Sequence, residues 1–245
     1  MSTPLLSVIT PIYNCSSYLK ASFESVFNQT FKDFEFIVIN DGSIDNTSEV
    51  AQSLLGSFSG DFKFIDHITN KRIPSRRNEA VRASRGKYIA IHDGDDISLP
   101  HRFEKEIEIL EKRGIFCIGG HALKINENSE EIGMMDYPPE KNREIVGDFA
   151  YRCKNPMIDP TTIFRKDIFD KYNGYTLEKS IYTVPDMDLW LKAILDGYEF
   201  FNIQEPLIKY RENSRGMTRE HKKEMIEAHM IVWRRFIIEW RKKNG

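Results

Sequence analysis

Three carboxylates stand within four residues at Asp93-Gly94-Asp95-Asp96. Two unit charges about 4 Å apart repel by about 4 kcal/mol at an effective dielectric near 20. A divalent cation removes that cost. Hard carboxylate oxygens suit Mg2+ or Mn2+, and Mg2+ typically shares one or two carboxylates with phosphate oxygens. The same residues also make an ordinary polar turn, since Asp and Gly favour turns. Asn40-Asp41-Gly42-Ser43 ends the second strand and reads either as a turn or as a contact to a nucleotide base. A carboxylate accepts hydrogen bonds only, so Asp41 would suit the ring N–H of uracil or thymine and disfavour the acceptor nitrogen of cytosine. Arg76-Arg77-Asn78 is either a solvated basic helix face or a reach to a phosphate or a base. In Pro185-Asp186-Met187-Asp188-Leu189-Trp190 the acids either favour the positive end of a helix dipole, or one of them is a general base. A helix start also predicts a lowered pKa for Asp186.

The elements that must position these residues alternate through the first hundred positions. Apolar runs at Leu6 to Ile12, Phe34 to Ile39, Phe62 to Ile65 and Tyr88 to Ile91 read as strands. Between them fall three helices. The first carries Leu19, Phe23, Val26 and Phe27 behind a cap at Asn14 or Ser16. The second carries Val50, Leu54 and Leu55 behind Asn46 or Thr47, and the third starts at Ser75 and stops at Gly86. Such alternation predicts a mostly parallel sheet covered by helices on both faces, with ligands at the C-terminal strand ends, where both acidic clusters fall. The second half is less regular. Pro100 opens a helix with Phe103, Ile107 and Leu110; short strands follow at 115–118, 121–125 and 132–135, an antiparallel addition. A loop region at 136–160 holds one helix near Arg143 to Tyr151. Strands are expected at 160–164, 198–203 and 207–210, a helix at 186–195, and a long helix from Thr218 to Lys243.

With 35 Lys and Arg against 37 Asp and Glu in 245 residues, the formal net charge is −2, which excludes a globally basic nucleic-acid binder. Cys15, Cys117 and Cys153 are too few and scattered for a disulfide scaffold or zinc site, so three reduced thiols are expected. No signal peptide and no membrane-length apolar run is visible, which predicts a cytoplasmic protein. A dinucleotide oxidoreductase and a P-loop enzyme lose ground because neither glycine-rich loop occurs.

Together the chain resembles the inverting family 2 glycosyltransferases, with their single-domain GT-A fold. The resemblance is carried by Val8-Ile9-Thr10-Pro11-Ile12-Tyr13-Asn14, Ser25-Val26-Phe27-Asn28-Gln29-Thr30, Val38-Ile39-Asn40-Asp41-Gly42-Ser43 with Asp45-Asn46-Thr47, Arg77-Asn78-Glu79-Ala80, Gly86-Lys87-Tyr88-Ile89-Ala90, Asp93-Gly94-Asp95-Asp96 and Leu99-Pro100. It is dense from Leu6 to about Arg113 and thinner from Asn155 to Arg211. It implies one domain over 1–245: a nucleotide-sugar-binding half to about 113, an acceptor-binding and catalytic-base half over about 114–215, and a C-terminal helix from 216.

The resemblance also implies roles. Asp41 reads the nucleotide base, with Pro11 and Tyr13 walling the nucleoside, and Arg77 touches the donor. Asp93 and Asp95 are the Asp-x-Asp pair, with Asp95 ligating Mn2+ or Mg2+ bridged to the donor diphosphate. Asp186 is the catalytic base, which takes a proton from the acceptor hydroxyl. The donor is a nucleotide sugar, expected to be a UDP-sugar, and the acceptor a glycan or lipid-linked glycan of cell-surface polysaccharide synthesis. Two departures stand out: many relatives have Glu-Asp where this chain has Pro185-Asp186, and a histidine near Asn213, where Arg215 could substitute as a phosphate clamp.

The tail carries Ile226, His229 or Met230, Trp233, Phe236 or Ile237 and Trp240 at helical spacing, with Arg234, Arg235, Arg241, Lys242 and Lys243 beside them. It reads as a helix packed on the domain; the alternative is peripheral contact with the inner face of the cell membrane. Two rival functions share the acidic features. A nucleotidyltransferase needs a glycine-rich loop after the first strand, and Thr10-Pro11-Ile12-Tyr13-Asn14-Cys15 has no glycine. A catalytically silent binding module is expected to have lost Asp95 or Asp186, and both are present.

Overall fold

The unbroken apolar runs form the centre of the sheet. In a computed structural model describing residues 3–213 and 221–244, Leu6–Ile12 (β1), Phe34–Asp41 (β2) and Tyr88–Ile91 (β4) are buried almost throughout. β1 pairs in parallel with β2 and β4, and β2 pairs in parallel with Asp61–His67 (β3), the half-exposed edge. Beyond β4 come Ile163–Arg165 (β8), Cys117–Ile125 (β6), Phe200–Arg211 (β9) and Ile97–Ser98 (β5). The order is β3-β2-β1-β4-β8-β6-β9-β5, with Glu131–Met135 (β7) paired to β6. β8 lies antiparallel to β4 and β6, β7 antiparallel to β6, and β9 parallel to β6.

Helices cover both faces. Ser16–Phe27 (α1), Thr47–Leu55 (α2) and Arg102–Arg113 (α4) place Leu19, Phe23, Leu55, Phe103 and Leu110 in one core. Arg72–Ala83 (α3), Asn142–Arg152 (α5), Lys166–Lys171 (α6), Pro185–Leu195 (α7) and Lys222–Asn244 (α8) place Val81, Phe149, Phe169, Trp190 and Phe236 in the other. A strand buried on both faces can be apolar at every position, which is why β2 reads as a run.

Several boundaries differ from expectation. Cys15, not Asn14 or Ser16, takes the N-cap position of α1, without a side-chain bond. Asn14 is at φ 47° and ties two loops together: its N–H donates to Ser43 Oγ at 3.0 Å, and its Oδ1 accepts the Ile44 N–H at 2.9 Å. α3 starts at Arg72, ahead of Ser75, and ends at Ala83, short of Gly86. The strands expected at 115–118 and 121–125 are one strand, β6, continuing through Gly119-Gly120. A Cβ on Gly120 would stand 2.6 Å from the Leu207 side chain, so glycine here serves close packing of β9 rather than a break. The strands expected at 198–203 and 207–210 are likewise one, β9. Its register against β6 shifts around Pro206, which cannot donate to a ladder and sits at the irregularity. β5, two residues long, and α6, six residues long, were not anticipated.

α8 packs on the domain through Ala228, Val232 and Phe236, with Trp233, Ile237 and Trp240 against the same core. Trp233 Nε1 donates to the Phe149 carbonyl at 2.8 Å, and Arg235 pairs with Glu178 at 2.7 Å. The buried stripe therefore begins at Ala228, and Ile226, expected in it, is exposed. The tryptophans that a membrane contact would use face inward. The expected helix start at Thr218 lies outside the described residues. All three cysteines are free thiols. Among the described residues no helix is long and apolar enough to cross a membrane.

Candidate active site

The acidic turn follows β4 directly. His92 anchors it: fully buried, it bonds the Ser22 hydroxyl through Nε2 at 2.8 Å and the Ser98 hydroxyl through Nδ1 at 3.1 Å. Burial pushes its imidazole down to about 3, so the ring is neutral. The Asp96 N–H then closes the turn on the Asp93 carbonyl at 3.1 Å.

The three acids divide by direction. Asp96 is buried; its Oδ1 accepts the Arg211 N–H at 2.8 Å, and its Oδ2 has no partner among the described residues. Burial, with the charges of Asp95 and Asp93, pushes its carboxyl well up. Asp96 therefore ties β4 to the end of β9. Asp93 and Asp95 are only half-buried. Asp93 Oδ1 accepts from Arg77 Nη2 at 3.1 Å, and Asp95 Oδ2 accepts from Asn213 Nδ2 at 2.7 Å. Burial and the Asp93 charge push Asp95 up to about 6. Two neighbouring carboxylates, with Asp95 burdened by burial and by the charge beside it, make an arrangement a cation relieves. Asn213 Oδ1, beside Asp95, is a buried oxygen with no partner among the described residues. Two carboxylates and a neutral oxygen fit Mn2+ or Mg2+ completing its shell with phosphate oxygens. Among the described residues no three His, Cys, Asp or Glu side chains are grouped so as to hold a metal ion by themselves. Arg215, expected near this place, lies outside the described residues.

Asp41 ends β2 and is buried, contrary to the reading of a strand-end turn. Its Oδ1 accepts from the Lys71 N–H at 2.8 Å and from Arg76 Nε at 2.6 Å; its Oδ2 accepts the Arg72 N–H at 2.9 Å. Gly42 beside it is at φ +72°, and a Cβ there would meet the Thr69 backbone at 2.8 Å. Only glycine allows that approach. Arg76 is also buried, holding Glu79 and the Thr69 carbonyl, so it braces the loop rather than reaching out. The solvated reading of the arginine pair fails for both. Pro11 and Tyr13 close β1 at the same sheet edge, Pro11 half-buried and Tyr13 exposed.

Arg77 is the hub. Its guanidinium joins Asp93 to Asp159 and lies over the Tyr175 ring at 5.8 Å. Burial pushes Asp159 up to about 7, against the Arg77 charge. Asp186, in the first turn of α7, is half-buried, and its Oδ2 accepts from Asn155 Nδ2 at 3.1 Å. Burial raises its pKa above the ordinary carboxylate value; the Arg77 charge, the Met187 N–H and the Asn155 amide pull the other way. The lowering expected from the helix start is overturned, because desolvation outweighs the dipole at this depth. Asp188 turns elsewhere and takes the Lys192 ammonium at 2.6 Å.

Sequence reasoning missed Asp159, Asn155 and Arg211 as members of the site. Arg211 donates to the Asp95 carbonyl at 2.8 Å and lies over the Tyr18 ring at 4.6 Å. Asp159 opens a three-residue 3-10 turn ahead of β8, and its one sequence signal is an acid preceding a proline.

This acidic edge, with its arginine hub, has known relatives. The family model for glycosyl transferase family 2 matches residues 7–172. EpsE of Bacillus subtilis, designated a glycosyltransferase, is 32% identical over 95% of this chain and 82% of its own length. The O-antigen biosynthesis glycosyltransferase WbnJ of Escherichia coli is 30% identical over 86% of this chain and 81% of its own. Among solved structures, S. aureus TarS 1-349 in complex with UDP-GlcNAc superposes with a TM-score of 0.70 at 18% identity, over 96% of this chain and 66% of that one. The mannosyltransferase PcManGT of Pyrobaculum calidifontis, in complex with GDP-Man and Mn2+, gives 0.72 at 13% identity, over 96% and 65%. The chain thus spans about two thirds of the length of those solved chains. A family match over residues 7–172, relatives at 30% and 32% identity over 86% and 95% of the chain, and a shared architecture make the chain a member of glycosyl transferase family 2, a glycosyltransferase of GT-A fold.

Proposed function

We propose that the protein is an inverting, metal-dependent hexosyltransferase that moves a sugar from a UDP-sugar to a hydroxyl of a glycan or lipid-linked glycan, in polysaccharide synthesis. The observation that carries this reading is the continuity of Asp93, Arg77, Asp159 and Asp186, which brings a cation-attracting pair and a half-buried carboxylate to one edge. Asp95 and Asp93, with Asn213 Oδ1, would hold Mn2+ or Mg2+. When bound, that ion supplies charge stabilisation to a departing diphosphate. Asp186 accepts the proton of the acceptor hydroxyl as its oxygen attacks the sugar carbon in line. Asp41 has one unfilled acceptor direction on Oδ2 for a ring N–H of the base, and Pro11 and Tyr13 would flank the nucleoside.

WbnJ is named for O-antigen biosynthesis, which supports a cell-surface glycan as product. Uracil and guanine both present a ring N–H, so both nucleotides belong in the test. That test is a hydrolysis screen of UDP-, dTDP-, GDP- and CDP-sugars with and without Mn2+, followed by the anomeric configuration of the product. Turnover of a UDP-sugar only with metal, and inversion, are expected; metal-independent turnover or retention would overturn the reading. We further place the protein in the cytoplasm, facing the membrane where lipid-linked acceptors lie. The inward tryptophans of α8 leave that contact to its exposed basic residues.

A further inference from the structure

Tyr137 is an exposed aromatic on a stiffened segment beside Asp186. It precedes Pro138-Pro139, so its own backbone is restricted and the next two φ angles are fixed. The fully buried Asn202 then pins this segment. Its Nδ2 donates to the Pro139 carbonyl at 2.9 Å and to the Pro156 carbonyl at 3.1 Å, while its N–H donates to the Glu140 carbonyl at 3.2 Å. Gln204 Nε2 adds a bond to the Pro138 carbonyl at 3.1 Å. One amide thus bridges the chain just after Tyr137 to the chain just after Asn155, and Asn155 holds Asp186.

Pro138 is buried, yet Tyr137 is 54% exposed. Tyr137 is thus held in place while part of its surface stays open to solvent. The Asp186 charge also reaches the phenol, which burial and that charge push up to about 12. A rigid, half-solvated ring near a carboxylate offers a flat apolar face at small entropic cost, and the axial C–H face of a pyranose is its complement.

We propose that Tyr137 is the platform on which a pyranose of the acceptor stacks, setting the hydroxyl that Asp186 deprotonates. This rests on the reading of Asp186 as the base and names the acceptor class as a sugar. The ring supplies the contact and the hydroxyl does not, since an aromatic face is what meets C–H groups.

The test uses the full chain with UDP and diamagnetic Mg2+ and methyl glycosides of glucose, galactose, mannose and N-acetylglucosamine. Saturation-transfer NMR reads which protons touch the protein. Wild type is expected to saturate the protons of one face of at least one glycoside. Tyr137→Ala should lose at least threefold of that signal, and Tyr137→Phe and Tyr137→Trp should keep it. Truncating an exposed ring leaves the cores intact, which circular dichroism checks. No glycoside signal in wild type overturns the proposal. So does an unchanged signal in Tyr137→Ala, or an equal loss in Tyr137→Phe. Calorimetric UDP affinity in the same samples reports separately on the donor reading: UDP binding with no glycoside effect leaves the donor site standing and removes Tyr137.

Discussion

Arg77 and Asp159 form an ion pair between positions 82 apart in sequence, beside the half-buried Asp93, which the same guanidinium holds. The pair is asymmetric. Asp159, pushed up to about 7, can take a proton when its partner is removed, whereas a guanidinium cannot lose one.

Asp159→Ala should therefore cost more stability than Arg77→Ala. Breaking a buried pair typically costs about 3–5 kcal/mol when an uncompensated charge is left; Asp159→Ala leaves the buried Arg77 charge only partly compensated, whereas the Asp159 left by Arg77→Ala can take up a proton. Arg77 would keep Asp93 alone, at 3.1 Å. Urea unfolding of both variants at pH 7 checks this. If Arg77→Ala proves the weaker protein, the packing of the guanidinium on Tyr175 matters more than charge.

Chelation tests the acidic pair. With EDTA, transfer should fall by at least about a hundredfold, because an ion at a leaving diphosphate supplies several kcal/mol, and Mn2+ or Mg2+ should restore it. Asp95→Ala should have the same effect without unfolding, since that carboxylate is half-buried and its one side-chain partner among the described residues is Asn213. Undiminished transfer in EDTA would remove the metal from the mechanism.

How much of this could be read from residues alone depends on locality. β1, β2 and β4 are unbroken apolar runs because both faces of each strand are buried, and periodicity finds such strands with their acidic ends. Asp159 and Asn155 were not legible: their roles come from a 3-10 turn and a loop brought to the site by β8 and β6, contacts with no local pattern. The extra helix caps at Asn14 and Ser75 failed for a related reason. Asn14 spends its side chain on Ile44 across the loops, and α3 begins where Asp41 takes the Lys71 and Arg72 N–H groups. The depth of Asp186 was equally hidden, since a helix start in sequence says nothing of what covers it.

Asp41 joins structure and recognition in one side chain. Asp41→Ala would strip two backbone N–H groups and the buried Arg76 of an acceptor, so a loss of about 3 kcal/mol is expected, with Glu79 retaining part of the Arg76 charge. Recognition is better read in wild type: UDP should bind at least about tenfold tighter than CDP, because a hydrogen bond to a charged group is worth about 1.5–3 kcal/mol. Equal calorimetric affinities for the two would take Asp41 out of base recognition.

Asp186 and Asp188 provide the sharpest comparison. Asp186 meets Asn155 and the Arg77 field, and Asp188 meets Lys192, so the two acids of one helix turn serve different surroundings. Asp186→Asn should lower turnover by about 10²–10⁴-fold, the typical worth of a general base, with UDP affinity little changed. Asp188→Asn should stay active. The pH profile follows from the sign of the shift. Burial raises the Asp186 pKa, so the base is lost to protonation at a higher pH than an ordinary carboxylate, and the acidic limb of kcat/KM should lie above pH 4. The same shift predicts stability. A carboxyl with a raised folded pKa binds protons more tightly folded than unfolded, so its contribution is fully present below the unfolded pKa and is lost as pH rises through the folded one. Asp186→Asn removes that loss and should be at least as stable as wild type at pH 7. A dead but stabilised Asp186→Asn beside an active Asp188→Asn is the expected outcome. An inactive Asp188→Asn with an active Asp186→Asn would move the acceptor to the Lys192 side of α7.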